Sequence, residues 1–130
     1  MQVEREGTAL LLHTSGTTAR PKLIPLSHSN LCASAGNIRR TIALTPGDVC
    51  LNMMPLFHIH GLVGALVASL AGGASMFCAG GFNPFQFRPW MLDSGATWCT
   101  TVPGMYHAIL RRMSDVPGEK RPKFRLLRSS

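Results

Sequence analysis

A loop of hydroxyl residues around one glycine, residues 14–22, carries the groups in this sequence that best suit phosphate chemistry. It reads Thr-Ser-Gly-Thr-Thr-Ala-Arg-Pro-Lys, so it offers four hydroxyl groups, backbone N–H groups on both sides of a flexible glycine, and one lysine ammonium group. Donors of this kind and a fixed cation surround bound polyphosphates. The spacing is not that of a Walker A loop, and a polar turn between two strands is the alternative that polarity leaves open. The predicted phosphate-binding residues are Thr14, Ser15, Gly16, Thr17, Thr18 and Lys22.

Two histidines, His58 and His60, form the second group of residues that could do chemistry. They follow a predicted strand, and a His-x-His pair can ligate a metal ion. No acidic residue or cysteine lies near them in the sequence to complete such a site. A structural role is the other interpretation, and we predict no metal-ligating residues.

The loop resembles the phosphate-binding signature of adenylate-forming enzymes, which include acyl-CoA synthetases, luciferases and peptide-synthetase adenylation domains. The family pattern is Ser/Thr-Ser/Thr-Gly-Ser/Thr-Ser/Thr-Gly-x-Pro-Lys, and Ala19 stands where the family has its second glycine. Alanine tolerates a positive φ poorly, which bears on the mobility of the loop and its fit to phosphate. Residues 54–62, Met-Pro-Leu-Phe-His-Ile-His-Gly-Leu, are similar to the second core motif of acyl-CoA synthetases and follow the loop at the family's spacing.

Two later segments extend the resemblance over nearly the whole chain. Residues 96–103 are similar to the family's strand that ends in Val-Pro before a helix flanking the acyl pocket, and residues 124–129 resemble the strand that enters the pocket's serine/glycine loop. Tyr106 and His107 face either this pocket or solvent. The resemblance implies that His58 is catalytic and shifts as catalysis proceeds. The implied pocket residues are His58, His60, Gly61, Val102 and Pro103.

The resemblance implies a fragment of an ATP-dependent acid–CoA ligase. In this family a small carboxylic acid attacks the α-phosphate of ATP in the presence of Mg²⁺, giving acyl-AMP and pyrophosphate, and the thiol of CoA then displaces AMP. Lys22 is the implied loop cation, and the loop's implied task is to stabilise charge on the leaving pyrophosphate. Within the family, the sequence as a whole most resembles ligases of small acids such as oxalate.

Several family segments have no counterpart in this sequence, namely Tyr-Gly-x-Thr-Glu, Thr-Gly-Asp and the small C-terminal domain with its lysine. We therefore expect residues 1–130 to be a partial AMP-binding (adenylation) domain, with the C-terminal domain absent and the remainder of the ligase covering it. On this view the fragment is not competent for turnover alone. A non-catalytic remnant or regulatory domain that keeps the fold is the competing hypothesis, and Ala19 favours it.

Strands and helices alternate along the chain, which predicts an α/β layer with a largely parallel sheet and helices on its faces, part of the layered sheet of an adenylate-forming enzyme N-terminal domain. Ser27 or Ser29 is expected to cap the first helix. Residues 45–48 form a predicted turn. The apolar run 8–13 is compatible with a buried strand, and the proline in 23–26 suggests an edge or bulged strand. The further predicted strands are 49–53, 74–79, 96–102 and 124–128, and the predicted helices are 29–43, 57–71, 84–92 and 103–113.

Charge and hydropathy limit the partners. The net charge is +7, but the cations crowd into the last twenty residues without interleaved aromatic residues, so a solvated face is favoured over a nucleic-acid-binding module. Residues 61–80 carry no charge, yet two glycines interrupt them and a buried helix followed by a buried strand is favoured over a membrane span. The basic residues concerned are Arg111, Arg112, Lys120, Arg121, Lys123, Arg125 and Arg128.

The four cysteines are scattered without a C-x-x-C pair. This pattern argues against a zinc site and is typical of a reducing compartment. The N-terminal residues show no signal-peptide pattern. A cytoplasmic location is therefore expected.

Overall fold

The computed structural model describes residues 4–14, 22–114, 116–118 and 124–129. Strands and helices alternate through them, with one π-helical segment directly before α2. In chain order the elements are β1 (Thr8–Thr14), β2 (Lys22–Ser27), α1 (His28–Thr41), β3 (Val49–Asn52), the π-helix (His60–Val67), α2 (Ala68–Ala71), β4 (Ser75–Cys78), α3 (Phe87–Ser94), β5 (Trp98–Thr101), α4 (Pro103–Ser114) and β6 (Leu126–Ser129).

A parallel four-stranded sheet in the order β4-β3-β5-β6 forms the centre of the molecule. Because successive side chains of a strand point to opposite faces, Cys50 and Trp98 face one layer, whereas Leu51 and Cys99 face the other. The first layer is formed by α1, the π-helix and α2, and the second by α3 and α4. The predicted α/β fold with a largely parallel sheet is thus confirmed.

The antiparallel pair β1–β2 is a separate two-stranded sheet. Leu11 and Leu23 are 54% and 51% exposed, so the expectation of a buried strand at residues 8–13 is wrong. The reason is that β1 pairs only with β2 among the described strands and does not enter the central sheet. Both members of a two-stranded sheet are edge strands, which is where Pro25 is tolerated and where the sequence placed it.

Helix α1 begins at a reciprocal cap. The side chain of Ser27 accepts the backbone N–H of Asn30 at 3.2 Å, and the side chain of Asn30 accepts the N–H of Ser27 at 3.0 Å. These bonds satisfy donors that a helix start leaves without partners. Of the two predicted caps it is therefore Ser27 that caps the helix, while the Ser29 hydroxyl donates to the Glu6 carboxylate at 2.7 Å.

The predicted helix 57–71 starts at residue 60, and its first part is a π-helix. A π-helix closes its hydrogen bonds over five residues rather than four, and the large apolar side chains of the segment are not all buried: Leu70 of α2 is 63% exposed. Small residues face the interior instead, including Gly61 and Gly64. A Cβ at Gly61 would collide with the carbonyl oxygen of Pro55, so only glycine fits there. No described helix is both long and apolar enough to cross a membrane.

A buried carboxylate, Asp48, ties the chain together where β3, β5 and β6 begin. It accepts hydrogen bonds from the Thr97 hydroxyl at 2.7 Å, from the Thr45 N–H at 2.9 Å and from two guanidinium nitrogens of Arg125 at 3.1 Å. Burial by itself raises the pKa of Asp48, but the bonds from Thr97, Thr45 and Arg125 prevail and lower it to about 2. The predicted turn 45–48 is confirmed by the bond from the Asp48 N–H to the Thr45 carbonyl. The prediction of a solvated basic face is wrong for Arg125, because its guanidinium group forms an ion pair with Asp48.

Candidate functional site

The carboxyl ends of the parallel strands bring a row of polar side chains together. Asn52 of β3 is in register with Thr100 of β5, and Thr100 is in register with Arg128 of β6. Alternation along each strand puts all three on the face covered by α1 and the π-helix. In open α/β sheets this edge is where ligands bind. We refer to Asn52, Thr100 and Arg128 as the carboxyl-edge row.

His60, the first residue of the π-helix, lies over this row. Its Nε2 atom is 2.6 Å from the hydroxyl oxygen of Thr100, and Arg128 Nη1 donates a long bond of 3.4 Å to the same oxygen. Burial, and secondly the positive charge of Arg128, lower the pKa of His60 below its ordinary value of 6.5. The imidazole is therefore neutral at pH 7. A Thr100 hydroxyl that accepts from Arg128 and donates to Nε2 fits this neutral ring.

A hollow of about 240 Å³ opens beside His60. Its wall combines Ser34 and Ile38 of α1, His60 and Gly64 of the π-helix, and Arg128 of β6. A Cβ at Gly64 would lie 3.4 Å from both Arg128 Nη1 and His60 Cδ2, so the two side chains pack closely against the helix at this position. The space is suited to a small molecule that interacts with one cation and one neutral imidazole.

His58 occupies a different position from His60. It lies in the turn between β3 and the π-helix, where its N–H donates to the Pro55 carbonyl at 3.2 Å and its carbonyl accepts the N–H of Leu62 at 2.9 Å. Its side chain is exposed, next to the Phe57 ring at 4.6 Å between centroids, and is not part of the wall of the hollow. The backbone of the motif is thus fixed while the His58 ring faces outward. Its predicted catalytic role stays a prediction.

A second depression, of about 330 Å³, lies at the same edge beyond β3 and β4. Residues of the second motif, including Pro55, Leu56 and Phe57, form one side, and Gly80 and Gly81 form the other. Leu56 and Phe57 are 41% and 77% exposed. The motif around the two histidines therefore separates two depressions at the carboxyl edge.

The other predicted pocket residues are not gathered around the hollow. Gly61 is buried against the turn at residues 54–55, as its contact with Pro55 shows. Val102 is half-buried and its carbonyl accepts the N–H of Tyr106 at 3.0 Å, while Pro103 is exposed at the start of α4. His107 is exposed, which favours the helix-surface interpretation over the pocket-facing one.

The predicted phosphate loop connects the two strands of the hairpin. Thr14, at the end of β1, is in register with Lys22, at the start of β2. Residues 15–21 lie outside the described part of the chain, and with them the predicted ligands Ser15, Gly16, Thr17 and Thr18. The loop is thus closed at its base by a pair of strands, with exposed Lys22 at one end.

Sequence reasoning missed Thr100 and Arg128 as site residues. Arg128 was grouped with the basic terminal stretch, although it falls inside a predicted strand of the sheet. Thr100 lies two residues before Val102, and its residue type alone does not indicate a site. A register of the parallel strands would have found both, because it sets them side by side at the edge where His60 begins its helix.

The sequence model of the family described as AMP-binding enzyme matches residues 1–129. This chain belongs to the AMP-binding enzyme family. The resemblance seen in the loop and the histidine motif is confirmed by this match.

Relatives within the AMP-binding enzyme family are CoA ligases. The chain is 45% identical to oxalate–CoA ligase of Arabidopsis thaliana over 93% of its length, and 35% identical to sulfoacetate–CoA ligase of Cupriavidus necator over 96%. Its fold is similar to the crystal structure of ATP-bound MatB from Rhodopseudomonas palustris, with a TM-score of 0.85, 32% identity and coverage of 97% of this chain. In each case the match takes in 24% of the other protein, so the chain spans about a quarter of the length of these relatives.

Proposed function

We propose that this chain is part of an ATP-dependent acid–CoA ligase that activates a small carboxylic acid as acyl-AMP and transfers the acyl group to CoA. The observation that carries the proposal is the 45% identity with oxalate–CoA ligase over 93% of the chain. The ATP-bound structure of MatB, with its TM-score of 0.85, supports the use of ATP. The relatives that act on oxalate and sulfoacetate are CoA ligases, which supports CoA as the acceptor.

In the proposed reaction, a carboxylate oxygen of the acid attacks the α-phosphate of ATP and pyrophosphate leaves. The thiol of CoA then attacks the acyl carbon and releases AMP. Lys22 and the hydroxyl groups of the loop at residues 14–18 stabilise negative charge on the phosphates, because donors fixed in place need no reorganisation during the step. The acid is held at the carboxyl edge beside His60, and His58 acts beside the nucleotide.

Magnesium ions accompany ATP in the proposed reaction. No cluster of three or more His, Cys, Asp or Glu side chains that could hold a metal ion occurs in the described residues. We propose that Mg²⁺ arrives with ATP, as is usual for a cation that binds through substrate phosphates.

We propose further that residues 1–130 form a portion of the adenylation domain and that the remainder of a ligase covers the carboxyl edge. The exposed apolar side chains of Leu56, Phe57 and Ile59 at that edge support a covered surface. A cytoplasmic location is supported by the four cysteines, all of which are free thiols.

Calorimetric titration with Mg-ATP tests the proposal on the chain itself. We expect saturable binding that is weakened about tenfold or more in Lys22→Ala, because a charge-assisted contact to phosphate is lost. Lys123→Ala, which removes a lysine outside the loop, is the matched control and should bind like the wild type. Ala19→Gly restores the family's second glycine and should bind at least as tightly.

Two results would contradict this proposal. One is the absence of ATP binding by a folded wild-type chain, which would leave the remnant hypothesis. The other is equal binding by the Lys22→Ala and Lys123→Ala chains, which would place the nucleotide away from the loop. Pyrophosphate release by the isolated chain is expected to stay near background, since the chain spans only 24% of its oxalate–CoA ligase relative.

A further inference from the structure

The side chain of Asn52, at the end of β3, bonds to the turn that follows the strand. Its Nδ2 donates to the carbonyl of Met54 at 3.1 Å, and its Oδ1 accepts the N–H of Met54 at 3.1 Å. Because the N–H of Met54 requires an acceptor and its carbonyl requires a donor, these partners fix the orientation of the carboxamide. Asn52 is 2% exposed. Within the carboxyl-edge row, this residue therefore bonds to the chain itself.

The carboxamide takes the place of a neighbouring strand. In a hydrogen-bonded pair of a sheet, one residue exchanges both its N–H and its carbonyl bond with the same partner. The paired part of β3 ends at Asn52, so Met54 has no such strand beside it. Pro55 disfavours a helical conformation of the residue before it and favours an extended one. A single carboxamide, with a donor and an acceptor side by side, satisfies both backbone groups of Met54.

The turn that follows is held to the sheet mainly at its two ends. Phe57 and Ile59 are 77% and 45% exposed, so burial of their side chains holds the turn only weakly. At the far end, Gly61 packs against the carbonyl oxygen of Pro55 with no room for a Cβ. His58 lies between these ends, and its N–H donates to the Pro55 carbonyl at 3.2 Å. The position of His58 therefore depends on how the backbone is fixed at both ends of the turn.

We propose that Asn52 is a positioning residue for the ligase reaction, because its carboxamide holds the start of the turn that carries His58. The inference rests on the proposed ligase function, in which His58 acts beside the nucleotide, and it adds the residue through which His58 is held. The backbone carbonyl of Asn52 accepts the N–H of Ala79 at 2.9 Å, directly after β4. The same residue thus joins the turn to the central sheet.

Removing the carboxamide is expected to act locally. Met54 is half-buried, so water can replace the two lost hydrogen bonds while the central sheet stays folded. Asn52→Leu has a similar size and makes neither bond. Asn52→Asp keeps an acceptor for the N–H of Met54, but an ionised carboxylate cannot donate to the carbonyl. Both variants should therefore loosen the turn.

NMR spectroscopy of the 130-residue chain with increasing Mg-ATP tests this role at the His58 ring. In the wild type we expect saturable shifts of the His58 ring signals. In Asn52→Leu, Mg-ATP should still bind through residues 14–22 with an affinity within about threefold of the wild type. The shift of the His58 ring at saturation should fall to about half or less, because the turn no longer holds the ring in one position.

Hydrogen exchange in the absence of nucleotide tests the turn directly. The Leu62 N–H donates to the His58 carbonyl at 2.9 Å, and the Thr97 N–H donates to the Val49 carbonyl at 2.8 Å inside the sheet. Exchange at Thr97 reports opening of the sheet, so it serves as the internal reference. In Asn52→Leu, exchange at Leu62 should accelerate at least about tenfold more than exchange at Thr97.

Asn83→Asp is the matched control for Asn52→Asp. The side chain of Asn83 also accepts the N–H of the residue two positions on, Phe85, at 2.9 Å, but in an exposed turn outside the histidine motif. This variant should show the His58 shifts and the Leu62 exchange of the wild type. If Asn52→Leu does not fold, the comparison of Asn52→Asp with Asn83→Asp gives the same test.

Three results would count against the positioning role. Unchanged His58 shifts and Leu62 exchange in both Asn52 variants would overturn it and leave the ligase function intact. Equal acceleration at Leu62 and Thr97 would show a general loss of stability and would overturn it as well. Absence of Mg-ATP binding in the wild type, with exchange at Leu62 still faster in the Asn52 variants, would refute the ligase function and leave Asn52 a structural role only.

Discussion

The two ends of the parallel strands in the central sheet have different roles. Where β3, β5 and β6 begin, Asp48, Thr97 and Arg125 form a closed network in which the carboxylate is surrounded by donors. Where these strands end, Arg128 donates to Thr100 and borders a hollow, and within the described residues no carboxylate pairs with it. One edge holds the strands together, and the other leaves a charge available to a ligand.

This difference in hydrogen bonding distinguishes polar residues that stabilise the fold from polar residues that can bind a ligand. Asp48 is 4% exposed and saturated with hydrogen bonds, so its charge is a condition of folding. Arg128 lies beside a hollow and makes one long hydrogen bond among the described residues, so its charge contributes little to stability. The contrast predicts that substitutions at the first edge reduce stability strongly, whereas those at the second reduce it weakly.

The largest expected effect is that of Asp48→Asn. The amide cannot accept as many hydrogen bonds as the carboxylate and leaves the charge of Arg125 without its partner, so we expect the free energy of unfolding to fall by about 3 kcal/mol. Urea denaturation measures it. Asp93→Asn, at an exposed position of α3, is the matched control and should change the free energy by less than about 0.5 kcal/mol. Similar losses in both variants would show that the network at the first edge is not special.

The second prediction concerns acid. The pKa of Asp48 is lowered from 3.8 to about 2 in the folded chain, so its contribution to stability is fully present above pH 4 and is lost as the pH falls through the folded value. The difference corresponds to about 2 kcal/mol. Urea denaturation from pH 6 to pH 2 should show this loss in the wild type. Asp48→Asn should show a smaller loss over the same range, and identical pH profiles would contradict the assignment.

The layered sheet could be predicted from the sequence, because the apolar residues of its strands and helices repeat with different periods and turn residues separate these segments. β3 and β5 are buried between two layers, and their sequences are short apolar segments, whereas β4 is a partly exposed edge strand. The exposure of the hairpin could not be predicted in the same way. β1 has the apolar composition of a buried strand, but it pairs with β2 and lies outside the central sheet. The π-helix was not predicted, because the spacing of its buried residues Gly61, Gly64 and Ala65 does not distinguish a five-residue from a four-residue hydrogen-bond pattern.

Only those site residues that are continuous in the sequence could be predicted from it. The histidine motif and the loop are continuous in the sequence, so their residue types alone indicated chemistry. Thr100 and Arg128 are 28 residues apart and become neighbours only through strand register. The order β4-β3-β5-β6 decides this, and no local pattern encodes which strand lies beside which.

The smallest effects come from two threonines near the two ends of β5, and they test the comparison most finely. Thr97 donates to Asp48 at 2.7 Å and accepts the N–H of Val49 at 3.1 Å, so Thr97→Val should cost about 1.5 kcal/mol. Thr101 is fully buried, and its hydroxyl has no hydrogen-bond partner among the described residues. Thr101→Val preserves the shape and removes an unsatisfied polar group, so its free energy of unfolding should stay within about 0.5 kcal/mol of the wild type or rise. Urea denaturation of both variants side by side measures the difference, and a greater loss in Thr101→Val than in Thr97→Val would reverse the assignment of the two edges.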